Sequence, residues 1–419
     1  MPKRISTCLN RGLLIVAAIL LISQSFFAPL DAQSGDQDDF IVVDIGLGEK
    51  LGNILRISAA GSVSLISSVS DPSNPIIDPY SVFIPLAGPH AGSFIVVDQG
   101  KLDGATGGLY KVTPAGQASA ISKVGAANSL LFAPQDVTMA TSGPLANKYI
   151  VVDTGTFNDD GGIYSVAADG ASSVVALAGD TALTAPQGIA FIPSGPLAGN
   201  FVVADAGSFN DDGGLYSVTP TGQVTAIALA SGTALRTPTR VAFAATGPFA
   251  GNFIVSDQGR FADDGGIFSV SPQGSVRAIA LSSSTALNQP AGLIQASRGA
   301  LAGNFIVADF GLNSSNGALF SVTASGIVTT IITRSSSPLV AVPAAVAQLA
   351  PITGVRPGDI NSDNAITTLD LILLLQHLQG VNLLTGAALQ AADVNNDSRV
   401  DVQDLIRLIQ ALTGAQPLQ

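Results

Sequence analysis

FVVADAGSFNDDGGLYSV, residues 201–218, contains the phrase that predicts the fold of most of this 419-residue chain. An apolar, β-branched run ends in Asp-x-Gly, and a second β-rich run follows a turn of Asn, Asp and Gly. The phrase occurs six times, with its aspartate at Asp44, Asp98, Asp153, Asp205, Asp257 and Asp309, in steps of 54, 55, 52, 52 and 52 residues. A period near fifty is typical of a four-stranded propeller blade. We therefore predict a mainly β chain built on a six-bladed β-propeller.

Each repeat divides into four strands. In residues 186–229 they are PQGIAFIP, FVVADAG, GLYSVTP and QVTAIAL, separated by turns rich in Gly, Asn and Asp. The first repeat lacks its opening strand, and residues 343–349 form a spare one at the far end of the repeats. Pairing of this spare strand with the first repeat would close the ring and remove an exposed sheet edge. An open linear stack of repeats is the alternative, and it leaves the spare strand unexplained.

The Asp-x-Gly phrase followed by Gly-(Ile/Leu)-(Tyr/Phe)-Ser-Val resembles the NHL-type repeat of six-bladed propellers, over about residues 40–351. The turn between the two runs is longer here than in that repeat. Because the shared motif is short, the resemblance implies a fold and not an activity.

Three consecutive repeats carry a lengthened turn with paired carboxylates. These are Asp159, Asp160, Asp211, Asp212, Asp263 and Asp264. Neighbouring carboxylates and carbonyls are typical calcium ligands, whereas Asp and Gly also suit hairpin turns that hold no ion. The sequence leaves both interpretations open. The aspartate of each Asp-x-Gly is predicted to cap its strand by hydrogen bonding within the same turn.

The repeats show little sign of catalysis. No nucleophile elbow, HExxH or phosphate-binding loop occurs, and we predict no catalytic residues. His90 stands where three sibling turns have Leu or Phe, and we interpret it as a surface substitution. Six-bladed lactonases and hydrolases of this general shape hold a metal on the propeller axis. This chain offers Asp136, Gln187, Arg240 and Gln348 there, a sparse and mixed set for a metal site.

After a linker at residues 351–357, the sequence changes to two acidic loops, each followed by an amphipathic helix. The first loop reads DINSDNAITTLD (359–370) and the second DVNNDSRVDVQD (393–404). Both place oxygen-bearing side chains at positions 1, 3, 5 and 12 and an apolar residue at position 8. This spacing wraps one chain segment around calcium, with position 7 contributing its carbonyl. The two loops predict a small α-helical, EF-hand-like calcium-binding domain over residues 358–414.

The pair of loops resembles a type I dockerin, because no helix precedes the first loop, the twelfth residue is Asp and the copies lie 34 residues apart. The resemblance implies two Ca²⁺ ions and, as partner, a cohesin-like protein module. The implied calcium ligands are Asp359, Asn361, Asp363, Ala365 (carbonyl) and Asp370 in the first loop, and Asp393, Asn395, Asp397, Arg399 (carbonyl), Asp401 and Asp404 in the second. The implied partner-binding residues are Thr368, Leu369, Val402 and Gln403.

The loops depart from the dockerin pattern at positions 4 and 6, where glycine is usual. This chain has Ser362, Asn364, Asn396 and Ser398 there. Since serine adopts the left-handed conformation less readily than asparagine or glycine, we expect strain and weaker binding in the second loop. We expect the core between the helices to consist of Leu371, Leu374, Leu375, Leu378, Leu405, Leu408, Ile409 and Leu412. His377 is predicted to lie on the polar face and not to bind metal.

Residues 1–32 have the pattern of a secretory signal, with basic residues before an apolar run at 13–27. An uncleaved membrane anchor is the alternative. Residues 33–39 would link the signal to the propeller. The one cysteine, Cys8, precedes the apolar run, so the mature chain would have no disulfide. A net charge of −12 argues against nucleic acid or an anionic membrane surface as a partner, and we expect no membrane span after signal removal.

These features predict a secreted binding and assembly protein, located in the extracellular space or at the cell surface. Its propeller, residues 40–350, would bind an unknown ligand while the calcium-dependent tail docks to the cohesin-like partner. One alternative makes the propeller an extracellular hydrolase or lactonase that the same tail delivers. Another makes the tail an internal calcium staple that packs against its own propeller.

Overall fold

The computed structural model describes residues 39–47, 51–86, 88, 90–101, 106–156, 161–208, 212–260, 264–311, 316–349, 357–361, 366–395, 397 and 399–413. The predicted signal and most of both predicted linkers lie outside the described residues. The chain divides into two compact units, a large β unit and a small helical unit that contains the C-terminal region. In the described part of the chain, no helix combines the length and apolar character needed to cross a membrane.

The β unit contains 24 described strands. In chain order they are β1 (Phe40–Asp44), β2 (Asn53–Ile57), β3 (Val63–Ser68), β4 (Pro79–Phe83), β5 (Phe94–Asp98), β6 (Gly108–Val112), β7 (Ala118–Lys123), β8 (Pro134–Met139), β9 (Tyr149–Asp153), β10 (Gly162–Val166), β11 (Ser172–Leu177), β12 (Pro186–Phe191), β13 (Phe201–Asp205), β14 (Gly214–Val218), β15 (Val224–Leu229), β16 (Pro238–Phe243), β17 (Phe253–Asp257), β18 (Gly266–Val270), β19 (Val276–Leu281), β20 (Pro290–Gln295), β21 (Phe305–Asp309), β22 (Ala318–Val322), β23 (Val328–Thr333) and β24 (Pro343–Gln348). Short 3₁₀ turns occur at Ala178–Asp180, Ala230–Gly232, Gly247–Phe249 and Ser282–Ser284.

The strands form six four-stranded antiparallel sheets, which are the blades of a propeller, and the predicted fold class is confirmed. We number the blades 1 to 6 in chain order, starting with the blade that contains β1. In each blade the strand that begins with proline is innermost, where it contacts the innermost strands of neighbouring blades. In blade 1 this strand is β24, which pairs with β1 so that Phe40 faces Gln348 and Val42 faces Val346. The two ends of the β unit are therefore joined by backbone hydrogen bonds, which cover the edge of β1.

Burial follows the position of a strand within its blade. The second strand, FVVAD in β13, is buried along its whole length, because sheet neighbours cover its edges and adjacent blades cover its faces. The outermost strand, VTAIAL in β15, exposes Thr225 and Ala226. The apolar core lies between blades, where Ile150 and Val152 of blade 3 belong to the same cluster as Phe201 of blade 4. Continuous apolar runs in the second strands therefore stack the blades face to face.

One glycine in the outer hairpin of each blade allows close approach to the preceding blade. Gly222 has φ +88°, and a Cβ atom there would lie 2.1 Å from the carbonyl oxygen of Val175 in blade 3. Only glycine combines this backbone conformation with so short a contact. The equivalent residues in the other blades are Gly61, Gly116, Gly170, Gly274 and Gly326.

The aspartate of each Asp-x-Gly phrase ties the entry of the inner strand to the second strand. Asp205 accepts a hydrogen bond from the N–H of Gly207 at 2.8 Å, which is the predicted cap within its own turn. Asp205 also accepts from the N–H groups of Thr184 and Ala185, at 2.8 and 3.1 Å, just before β12. In blade 1, Asp44 accepts in the same way from the N–H groups of residues 341 and 342. These residues come near the end of the propeller sequence, whereas Asp44 is near its beginning. The same carboxylate that caps a turn therefore also helps to close the ring.

The small unit contains three described helices, α1 (Thr368–Leu378), α2 (Gly386–Ala392) and α3 (Val402–Leu412). Helices α1 and α3 pack together, with Leu374 and Leu408 fully buried. Ile409, which the sequence placed in this core, is 41% exposed and that expectation is wrong. The buried line of α3 runs through Asp404 and Leu408, and Ile409 lies to one side of it, on the solvent face.

Candidate functional site

The last aspartate of each acidic loop folds back onto the start of its own loop. In the first loop, Asp370 accepts from the N–H groups of Ile360 at 2.7 Å and Asn361 at 3.1 Å through one oxygen. Its other oxygen accepts from the N–H of Thr367 at 2.8 Å, which completes a capping box at the start of α1. The carboxylate therefore holds together the beginning of the loop, its end and the helix that follows.

The second loop repeats this arrangement. Asp404 accepts from the N–H groups of Val394 at 2.8 Å and Asn395 at 3.2 Å, and its other oxygen accepts from the N–H of Asp401 at 2.9 Å. Burial raises the pKa of Asp404, although these three hydrogen bonds act in the opposite direction. A cation beside this carboxylate would favour its ionised form.

The oxygen-bearing side chains inside the second loop converge on one backbone group. The N–H of Asp397 donates to the side-chain oxygens of Asp393 at 3.1 Å and Asn395 at 3.0 Å. Asp397 in turn accepts from the N–H of Arg399 at 3.0 Å. Positions 1, 3 and 5 of the loop are thus linked to one another by hydrogen bonds.

The donor set of the loops fits calcium, since it consists of carboxylate, amide and carbonyl oxygens without nitrogen or sulfur ligands. Asp363 and Ala365 of the first loop lie outside the described residues. Among the residues that are described, no three Asp, Glu, His or Cys side chains are placed so that they could hold a metal ion together. Backbone N–H groups satisfy the carboxylates of Asp370 and Asp404 in this arrangement.

The four predicted partner-binding residues are all exposed at the first turns of α1 and α3. These are Thr368, Leu369, Val402 and Gln403. Three further apolar side chains that the sequence analysis did not assign to this surface continue it: Ile372 on α1, and Ile406 and Ile409 on α3, at 49, 50 and 41% exposure. Val402, Ile406 and Ile409 have the i, i+4, i+7 spacing of one helix face. The sequence contains this spacing, but a row of side chains buried in the core of the domain would have the same spacing.

The propeller axis is occupied by the guanidinium of Arg240. It donates hydrogen bonds to the carbonyl oxygens of Gln187 at 2.9 Å, Gln135 at 3.1 Å and Tyr80 at 3.3 Å. These carbonyls belong to three other blades, and the guanidinium also lies 5.1 Å from the centre of the Tyr80 ring. One arginine of blade 5 therefore links the inner strands of blades 2, 3 and 4.

Asp136 faces this guanidinium, with its carboxylate oxygen 3.8 Å from Nε of Arg240. The carboxylate also accepts from the hydroxyl of Ser81 and from a backbone N–H of blade 4. Gln348 hydrogen-bonds to Ser297 instead of joining this group. A cation bound at Asp136 would meet the positive charge of Arg240, so this group of residues does not favour a metal ion on the axis.

The lengthened turns of blades 3 to 5 are described only in part. Asp159, Asp160, Asp211 and Asp263 lie outside the described residues, whereas Asp212 and Asp264 lie within them. Asp212 accepts hydrogen bonds from the N–H and the hydroxyl of Ser208, at the start of its own turn. Calcium binding at these turns stays a prediction.

Both histidines have defined hydrogen-bond partners. His90 stacks on the ring of Tyr149, and its Nδ1 lies 2.8 Å from the hydroxyl of that tyrosine. His90 therefore connects blades 2 and 3, whereas the sequence analysis interpreted it only as a surface substitution. His377 accepts a hydrogen bond from the N–H of Leu384 at 3.0 Å, so its Nδ1 ties α1 to the segment before α2.

Comparison with known proteins identifies the small unit. Residues 357–413 match the family model of the dockerin type I domain, which confirms the predicted resemblance. No curated protein matches this chain. The protein thus contains a six-bladed β-propeller followed by a type I dockerin domain.

Several solved structures resemble the propeller at low sequence identity. They include a protein of unknown function from Bacteroides thetaiotaomicron (13% identity, 70% of this chain and 64% of that chain, TM-score 0.43), a protein from Lactobacillus plantarum (16%, 75% and 86%, 0.44) and the PQQ-bound aldose sugar dehydrogenase of Streptomyces coelicolor (14%, 60% and 80%, 0.41). This chain spans less than two thirds of the length of the first of these.

Proposed function

We propose that this chain is a secreted binding and assembly protein whose dockerin domain binds two calcium ions and docks onto a cohesin-type module, while its propeller binds a ligand of its own. The dockerin match over residues 357–413 is the observation that carries the proposal. Type I dockerin domains bind calcium, and cohesin modules are their partners. The tail would thus anchor the propeller to a scaffold or surface protein.

Calcium would be held by the loop oxygens that the sequence predicted. In the described part of the loops these are Asp359, Asn361, Asp370, Asp393, Asn395, Asp397, Arg399 (carbonyl), Asp401 and Asp404. The ion supplies positive charge to a site of closely spaced carboxylates. The protein supplies the turn that gathers positions 1, 3 and 5, and the capping box that aligns position 12 with the helix.

The docking surface is the apolar face that α1 and α3 present to solvent. On α1 it contains Leu369 and Ile372, and on α3 it contains Val402, Ile406 and Ile409. A domain of this size has few apolar side chains to spare from its own core, so five exposed ones in two short helices favour a protein partner. Because each helix starts at a loop, calcium binding and the position of this face are linked.

A pull-down from the secreted and surface fraction of the source organism tests the docking function. The bait is the full mature chain, used with calcium and with chelator. A partner that mass spectrometry identifies as carrying a cohesin module, captured only with calcium, is the expected result. Ile406→Asp should abolish its capture, whereas Leu281→Asp, which adds the same charge to an exposed site on β19, should not.

Two results would contradict the proposal. One is capture of the same proteins with calcium, with chelator and with Ile406→Asp, since the propeller alone would then do the binding. The other is a full chain that is soluble and loaded with calcium but binds no cohesin module from the source organism. Secretion is tested separately by the mass of the protein in the medium, which should correspond to a chain that begins at Gln33.

A further inference from the structure

A cavity of about 450 Å³ opens on blade 6, the last blade of the propeller. Its volume lies within the range of small-molecule sites, roughly 300 to 1,000 Å³. It is bounded by the two outer strands of the blade, β22 and β23, and by the segment that leads into β20. Its lining includes Asn288, Asn316, Phe320, Thr330, Thr333 and Arg334.

Arg334 breaks the six-fold repeat at this place. In every blade the residue that follows the outermost strand donates its N–H to the carbonyl of an equivalent glycine, as Arg334 does to Gly317. The residues at this position in blades 1 to 5 are Val69, Val124, Ala178, Ala230 and Ser282, and all five are buried. Only blade 6 places a half-buried cation where its siblings place a small or apolar side chain.

At two neighbouring positions, blade 6 has threonine where blades 3 to 5 have an aliphatic residue. Thr333 pairs with the first residue of β22, and its equivalents are Leu177, Leu229 and Leu281. Thr330 pairs with Phe320, and its equivalents are Val174, Ala226 and Ala278. At these two positions of β23, blade 6 therefore has hydroxyl groups where blades 3 to 5 have aliphatic side chains. The backbone at these positions is the same, so the change is in side-chain chemistry alone.

We propose that this cavity binds a small hydroxylated carboxylate, of the size and chemistry of a monosaccharide acid. The planar guanidinium of Arg334 matches a carboxylate, and its five N–H groups allow it to serve a ligand as well as protein groups. The hydroxyl of Thr330 can donate and accept hydrogen bonds as sugar hydroxyls require. The hydroxyl of Thr333 bonds to Ser335 and Ser336, and the amide of Asn288 donates to the carbonyl of Ala286, so these groups would bind a ligand in addition to their protein partners. Phe320, which is 5% exposed and belongs to the core, closes the inner wall of the cavity. The inference rests on the part of the proposed function that makes the propeller a binding module, and not on docking.

A structural role for Arg334 makes different predictions. Its positive charge favours the ionised form of Asp44, whose pKa burial raises, and Asp44 holds the two ends of the ring together. If charge compensation were the whole role of Arg334, its removal would lower the stability of the propeller without changing any affinity. Binding and stability must therefore be measured on the same variants.

The test is calorimetric titration of the full chain with glucuronate, galacturonate and gluconate, with glucose as the neutral reference. Arg334→Ala and Thr333→Leu introduce into blade 6 the residues that blades 3 and 4 have at the same positions. Because those blades fold with these residues, both variants should fold. We expect at least one of the acids to bind, glucose to bind more weakly by roughly tenfold or more, and Arg334→Ala to weaken acid binding by a similar factor. Arg277→Ala, which removes one exposed positive charge from β19, should leave affinity unchanged.

Three outcomes would overturn the inference. These are no binding of any of the three acids at millimolar concentrations, equal binding by wild type and Arg334→Ala, or a loss of stability in Arg334→Ala with no change in affinity. Failure here leaves the calcium-dependent capture of a cohesin module untouched, and Arg334→Ala should be captured like the wild type. A failed capture with intact acid binding would remove the docking function alone.

Discussion

The aspartates of the propeller and those of the dockerin loops make nearly the same hydrogen bonds in different surroundings. Asp205 accepts from three backbone N–H groups that belong to two chain segments, and so does Asp404. Asp205 lies between packed blades, in a unit with continuous apolar cores. Asp404 lies in a unit with a single small core, at a loop position that is also a calcium-ligand position.

The size of the surrounding core decides what such a carboxylate contributes to stability. In the propeller the carboxylate joins two segments by hydrogen bonds that need no bound ion, because apolar packing also holds both segments in place. In the dockerin domain the core is too small to fix the loops by packing alone, so an ion that binds the same side chains changes the stability of the whole unit.

The largest effect is expected from Asp205→Ala. The substitution leaves the N–H groups of Thr184, Ala185 and Gly207 without their acceptor, and should cost the propeller roughly 3 to 5 kcal/mol. Denaturant unfolding of the full chain measures it, with and without calcium. Asp169→Ala, which removes one hydrogen bond on an exposed turn, is the matched control. A loss below about 1 kcal/mol, or a loss that calcium restores, would remove the distinction between the two kinds of aspartate.

Removal of calcium should destabilise the dockerin domain and leave the propeller unchanged. At a calcium concentration a hundred times Kd, bound ion contributes about 2.7 kcal/mol per site. Hydrogen exchange of peptides from α1 and α3 should accelerate on addition of chelator, while exchange of β13 and β17 stays the same. Asp404→Ala should lower the measured stoichiometry from about two ions to about one. Equal acceleration in both units would mean that they are not energetically separate.

One buried carboxylate, Asp78, should make the stability of the propeller fall as pH rises. Burial and the charge of Asp98 raise the pKa of Asp78 in the propeller to about 6, above its ordinary value of 3.8. A group whose pKa is raised on folding stabilises the fold below its unfolded pKa, and this contribution is lost as pH rises through the folded value. Propeller stability should therefore fall by roughly 2 to 3 kcal/mol between pH 4 and pH 7 through this group.

Unfolding of Asp78→Asn against pH isolates that contribution. The variant should show a flatter pH profile than the wild type, whereas Asp169→Asn on an exposed turn should keep the wild-type profile. A wild-type propeller that gains stability steadily from pH 4 to pH 7 would show that other groups outweigh the buried carboxylates.

The smallest effect concerns His377 of the dockerin domain. Burial lowers its pKa below the ordinary 6.5, so its stabilising contribution is present above that value and is lost as pH falls through the folded pKa. His377→Ala removes the acceptor of the Leu384 N–H and should cost about 1 kcal/mol at pH 7. Hydrogen exchange of α1, corrected for intrinsic rates, measures it. Gln379→Ala at the exposed end of the same helix is the control, and an equal effect of both substitutions would contradict a specific role for His377.

Much of the fold and of the calcium loops could be predicted from sequence. The Asp-x-Gly phrases mark the ends of the second strands, and the prolines mark the innermost strands, because strand and turn propensities act within a few residues. Ile409 was assigned to the core wrongly, because α3 has apolar residues on more than one face and only packing against α1 selects the buried one. The NHL-type character of the repeats and the ion content of the lengthened turns stay predictions.

The number of blades, the position of the spare closing strand and the ligand spacing of the two loops can all be read from the amino-acid sequence. All of these follow from local periodicity and from distances along the chain. The folded structure was needed to show that Arg240 pairs with Asp136 across the axis, that each Asp-x-Gly carboxylate binds a second segment, and that Arg334 lines a cavity on blade 6. The physical reason is that side chains separated by 20 to 300 residues meet only after the blades have stacked, and local spacing carries no record of which side chains then face each other.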